Sequence, residues 1–117
     1  MTARPLYWVG SSKKDLLKMP PDVQDVFGFA LHQAQAGGKH IQSKPLKGFP
    51  AAEVLEVVED YDSDTYRAVY TAKFGTAIYA LHCFQKKSKK GIETAHHDIE
   101  LIRSRLKLAE AHARGSK

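Results

Sequence analysis

Three groups of residues in this sequence have the types and spacing for chemistry on an anion. Arg67 stands inside a β-prone stretch whose alternation puts Tyr66, Ala68, Tyr70, Ala72 and Phe74 on one face and Thr65, Arg67, Val69, Thr71 and Lys73 on the other. The first set is the natural core, so Arg67 is expected to project onto a more open face, where a guanidinium is suited to gripping a phosphate or carboxylate. The second group is Lys39, His40, Lys44 and Lys47, spread around Pro45 and Gly48 in a stretch without apolar periodicity. The third is Lys86, Lys87, Lys89 and Lys90, four lysines within five residues and no acid among them. If the loop and the lysine run flank Arg67, three basic elements converge on one concavity. Each also has a plain structural explanation: a cross-strand salt bridge from Arg67 to Glu56 or Glu59, and lysines that solvate a surface or guard a strand edge.

The remaining reactive side chains point to less. None of His32, His40, His82, His96 and His97 has metal-ligand spacing with another histidine or with Cys83, so no metal is assigned. His82 and Cys83 are adjacent on a strand and therefore on opposite faces, which argues against a nucleophilic dyad and makes Cys83 a core residue. Trp8, Tyr7 and the hairpin tyrosines have the rings to stack on bases, but aromatic residues in a small domain usually fill its core. Nucleotide-binding, hydrolase and zinc-protease motifs are absent.

The elements that must position these residues follow from the pattern. Leu6 to Val9 is a short apolar run ended by Gly10, a buried strand. Ser11 or Ser12 starts a helix that stops before Pro20, and Pro21-Asp22 starts a second, carrying Val23, Val26, Phe27, Ala30, Leu31 and Ala34 at helical spacing up to Gly37-Gly38. Residues 39 to 50 read as a basic loop. Val54 to Glu59 and Tyr66 to Phe74 flank Asp60 to Thr65 as strand, turn and strand, and Ala77 to Phe84 is the next strand. Thr94 caps a last helix with a stripe of Ile99, Ile102, Leu106 and Ala109. The order β-α-α-β-β-β-α predicts an α+β domain, a small and mostly antiparallel sheet with helices on one face.

At 117 residues the chain is one domain, with its core at about residues 5 to 110 and loose ends. Eighteen Lys and Arg against thirteen Asp and Glu leave a net charge of +5, which favours a polyanionic partner, RNA first among them. A single cysteine fits a reducing compartment. The four-residue apolar stretch near the N-terminus is too short for a signal-peptide core or a membrane span, so a cytoplasmic protein is expected.

Four blocks carry a family resemblance: Lys44-Pro-Leu-Lys-Gly-Phe49, Val54-Leu-Glu-Val-Val-Glu-Asp60, Tyr66-Arg-Ala-Val-Tyr70 and Leu81-His-Cys-Phe-Gln-Lys-Lys-Ser-Lys-Lys90. In this order they resemble the phage-derived HigB group of the RelE/ParE toxin superfamily over roughly residues 5 to 108. The resemblance implies a RelE-like fold and the toxin half of a type II toxin–antitoxin pair, neutralised by a helix-turn-helix antitoxin. The activity it implies is cleavage of mRNA in the ribosomal 30S A site, with no cofactor. By the family pattern Arg67 matches the strand arginine on the scissile phosphate and Lys47 the basic residue of the Leu-Lys-Gly loop. Lys86 and Lys87 fall where relatives carry charge-stabilising or acid residues, with His82 a rival for proton transfer and Lys44, Lys73, Lys89 and Lys90 as RNA contacts. The sequence departs from members with a His-Tyr or Asp-Tyr-His cluster at that position. Two other functions stay open: a toxin that blocks a protein target such as gyrase, and an RNA- or ribosome-binding module without catalysis.

Overall fold

The computed structural model describes residues 3–50, 53–86 and 95–115. Along the chain run β1 (Leu6–Trp8), α1 (Ser12–Leu17), α2 (Pro21–Gln35), β2 (Ser43–Pro45), β3 (Leu55–Tyr61), β4 (Asp64–Thr71), β5 (Ile78–Lys86) and α3 (His96–Gly115). The strands form one sheet in the order β1-β5-β4-β3-β2, with β1 parallel to β5 and every other pairing antiparallel. This is the mixed, mostly antiparallel α+β architecture expected, with one strand more. Ser43–Pro45 adds to the edge of β3, although its three residues are too few and too polar to show alternation.

The central hairpin is tighter than the acidic stretch from Asp60 to Thr65 suggested. Tyr61 pairs with Asp64, and the two residues between them, Asp62 and Ser63, have φ of 50° and 71°. A turn with both central residues left-handed matches the twist of the flanking strands. β4 ends at Thr71, so Phe74 escapes the strand alternation and packs on the face opposite to Tyr66, Ala68 and Tyr70.

Both faces of the sheet are apolar, and both are covered. On one, Val23, Phe27, Ala30, Leu31 and Ala34 of α2, with Leu16 of α1, pack on Val57, Ala68, Tyr70, Ile78, Ala80 and Cys83. On the other, Ile99, Ile102, Leu106 and Ala109 of α3 pack on Val54, Val69, Tyr79 and Leu81. The expected placement of helices on one face therefore holds for α1 and α2 but not for α3. The second face carries too much apolar area to be left in water, and α3 has the stripe that matches it.

A β-bulge in β5 decides which residues share that second face. Val69 pairs with His82, yet Tyr70 pairs with Ala80, so Leu81 is an extra residue and the alternation changes phase there. Leu81 and His82 consequently lie on the same side, toward α3, while Cys83 returns to the α2 side. Arg105 of α3 secures the bulge: its Nη1 donates to the Leu81 carbonyl at 2.9 Å and its Nη2 to Ser11 Oγ at 3.1 Å.

Candidate functional site

The strand registers place the candidate residues in successive rows on the α3 side of the sheet. One row runs Lys44, Glu56, Val69, His82 from β2 to β5; the next holds Val58, Arg67 and Phe84; a third holds Asp60, Thr65 and Lys86. Rows on one face are separated by two residues along a strand, so Arg67 lies diagonally between His82 and Lys86 and within reach of both.

Arg67 is not on an open face. It is 4% exposed, and its Nη1 donates to Glu56 Oε1 at 2.6 Å, so the cross-strand salt bridge that the sequence allowed is realised with Glu56 rather than Glu59. Both side chains are almost wholly removed from water, so each charge depends on the other to offset its desolvation. The face that looked open carries the second core, with α3 packed beside Val69, Leu81 and Phe84.

His82 is held as closely. It is 7% exposed, its ring stacks on Phe84 at 4.4 Å, and its Nε2 lies 2.9 Å from Asp98 Oδ1 in the first turn of α3. Burial lowers its pKa below the usual histidine value; the Asp98 hydrogen bond and charge oppose this, and Arg105 adds to the lowering. The imidazole is thus neutral near pH 7, with Nε2–H donating to Asp98 and Nδ1 left as an acceptor. Nδ1 is buried and has no hydrogen-bond partner among the described residues. A carboxylate on one nitrogen and a lone pair on the other is the arrangement of an oriented general base.

Lys44 and Lys47 are exposed on the border of this face. Leu46 and Phe49 sink into the second core on either side of Lys47, Gly48 supplies a φ of 95°, and the Arg103 guanidinium lies 4.9 Å over the Phe49 ring. The loop is therefore pinned at two points, with Lys47 standing out between them. Lys86 closes the opposite side, half-buried at the end of β5. Lys87, Lys89, Lys90 and the capping residue Thr94 lie outside the described residues. Lys73 is not brought to the site: it follows the far end of β4, half-exposed, with its Nζ 3.0 Å from Glu53 Oε1.

Lys44, Arg67, His82 and Lys86 thus share a face with Lys47 at its border. Asp98 was missed by sequence reasoning, as its only local signal is an acid in a helix first turn, and the partner it finds is sixteen residues away. Cys83, 2% exposed, has its thiol pushed up to about 12 by burial and is the inert core residue expected. Among the described residues no three His, Cys, Asp or Glu side chains are grouped to hold a metal ion, and no helix is long and apolar enough to cross a membrane.

The fold and this face define a small mixed-sheet α+β protein with lysines around a buried ion pair and an oriented imidazole. Residues 14–107 match the family of phage-derived Gp49-like proteins, and the chain belongs to that family, which is associated with the toxins of toxin–antitoxin systems. No curated protein and no solved structure matches the chain.

Proposed function

We propose that the chain is a RelE/HigB-like toxin that cleaves mRNA on the ribosome, and that a helix-turn-helix antitoxin of the same type II system neutralises it. The observation that carries this reading is the convergence of Lys44, Arg67, His82 and Lys86 on one face of the sheet in a member of a toxin-associated family. Its place of action is the cytoplasm, where translating ribosomes are.

The reaction is attack of the RNA 2′-hydroxyl oxygen on the adjacent phosphorus, with the 5′ oxygen leaving. It yields a 2′,3′-cyclic phosphate and a 5′-hydroxyl end. Such a step needs the backbone held in line, a proton removed, charge stabilised and the leaving oxygen protonated. Lys44 and Lys47 track the phosphates, with Lys86 beside the developing charge or as the proton donor. Oriented by Asp98, His82 takes the 2′-hydroxyl proton at Nδ1, which requires its covering to give way when RNA enters. Arg67 meets the scissile phosphate by exchanging one anion, Glu56, for another, and stays charge-paired throughout.

The test is the purified chain with programmed ribosomes, scored for fragments carrying 5′-hydroxyl and cyclic phosphate ends. The wild type should produce them, Lys44→Ala/Lys47→Ala should do so more slowly and with weaker salt dependence, and His82→Gln should lose turnover while remaining folded. Intact mRNA with active wild-type protein present would turn the reading toward a toxin acting on a protein.

A further inference from the structure

We propose that the cavity between β1 and the C-terminal half of α3 binds a purine nucleotide, with the base stacked among Tyr7, Tyr79 and His112 and the phosphate toward Arg105. The cavity follows from a taper in the sequence. α3 meets the second core with Ile99, Ile102 and Leu106 in its first half, but with Ala109 and Ala113 in its second. The large side chains fill the space against the sheet, and the small ones leave about 310 Å³ open beside β1. That volume lies at the lower end of the range for small-molecule sites and has room for a bicyclic base. The cavity shares no lining residue with the face that carries Arg67 and His82, so it stands whether or not the chain cuts RNA.

The rings hold one another in place. Tyr79 is buried and stacks on Tyr7 with ring centroids 5.4 Å apart and planes 26° from parallel, and its hydroxyl shares a hydrogen bond of 2.8 Å with His112 Nδ1. The His112 ring lies 4.5 Å from that of Tyr7. Tyr7 is nonetheless 39% exposed, and Leu108 on the α3 wall is 58% exposed. Rings already fixed lose little freedom when a flat ligand stacks on them, and every base offers a π face. A purine is favoured over a pyrimidine because its two fused rings cover more of this surface. Charge sets the rest. None of the lining residues is acidic, so a cation would meet only ring faces in a chain of net charge +5. At the Gly10 end stands the Arg105 guanidinium, which a Cβ on that glycine would approach to 2.8 Å. Arg105 donates to the Leu81 carbonyl and Ser11 Oγ, fewer acceptors than a guanidinium can serve, and a phosphate suits the remainder. A free nucleotide and an unpaired purine of RNA present this chemistry alike.

The experiment titrates the full chain, ¹³C-labelled at its Val, Leu and Ala methyl groups, with AMP and separately with a short oligoadenylate. The methyl signals of Val9, Leu108 and Ala109 should shift under the ring current of the purine and saturate. AMP binding as tightly as the oligomer assigns the site to a free nucleotide; clearly tighter binding of the oligomer assigns it to an RNA base. AMP should bind more tightly than adenosine and lose that advantage in high salt. Tyr7→Leu, at an exposed position, keeps apolar contact but removes a ring, and should weaken AMP binding by about tenfold. Ala109→Leu should fill the cavity and abolish binding; if that variant does not fold, Tyr7→Leu still decides. No shift at Val9 and Leu108 with either probe at millimolar concentration would overturn the proposal. So would unchanged affinity in Tyr7→Leu, or equal affinity for UMP.

Discussion

Replacing Arg67 by alanine leaves the Glu56 carboxylate buried without its nearest cation. Their side chains are 5% and 6% exposed and 2.6 Å apart, so solvent cannot take over from the lost guanidinium. Breaking such a pair from one side costs about 3–5 kcal/mol, a large part of the roughly 5–15 kcal/mol that holds a domain of this size together. With about 4 °C per kcal/mol, the melting temperature should fall by roughly 12–20 °C. The double replacement Arg67→Met/Glu56→Leu removes both charges, keeps most of the volume and should lie within about 1 kcal/mol of the wild type. Urea and thermal unfolding followed by circular dichroism measure both. Less than about 1 kcal/mol lost in Arg67→Ala would refute the reasoning, because it would mean that the pair is solvated in solution. Any loss of RNA cleavage in Arg67→Ala must accordingly be read beside its stability, with Arg67→Met/Glu56→Leu as the folded control that lacks the guanidinium.

Three further outcomes follow. His82 has a folded pKa below its ordinary 6.5, so above that value neither state is protonated, and below it the unfolded chain takes a proton that the folded chain resists. Stability should fall as pH drops through 6.5 toward the folded value, by at most about 1.36 kcal/mol per pH unit from this group. Urea titrations should show His82→Gln lacking this component and Asp98→Asn extending it to lower pH. The Cys83 thiol, pushed up to about 12 and 2% exposed, should resist iodoacetamide at pH 8 in the folded protein and react only as the protein opens in urea. Gly10→Ala forces a left-handed alanine against Arg105 and disturbs its bonds to Leu81 and Ser11, so it should cost about 2–3 kcal/mol in urea unfolding.

What could be read from the sequence was what period and punctuation carry. α2 is bounded by Pro21 and by Gly37-Gly38 as expected, and its buried residues include Val23, Phe27, Ala30, Leu31 and Ala34 of the apolar stripe. Val26 is left only partly buried at the margin. Cross-strand logic also reached Glu56 as a partner for Arg67. The misses share a cause, namely that no local pattern marks a tertiary choice. Ser43–Pro45 is a strand because the edge of β3 is there to pair with. The bulge at Leu81 leaves no trace in a run of apolar residues, yet it puts His82 on the α3 side. Counting alternation from Ile78 would have placed His82 in the α2 core. Arg67 was expected in the open because Thr65, Arg67, Thr71 and Lys73 read as polar. The stripe on α3, visible in the sequence, had no address until it met Val69 and Leu81.

The central claim is that this chain arrests growth by cutting mRNA. Its most direct test is to induce the wild type and His82→Gln in cells and map 5′-hydroxyl RNA ends across the transcriptome. The account predicts arrest with new ends in translated frames for the wild type, and neither for the folded variant. Arrest with intact mRNA would contradict it.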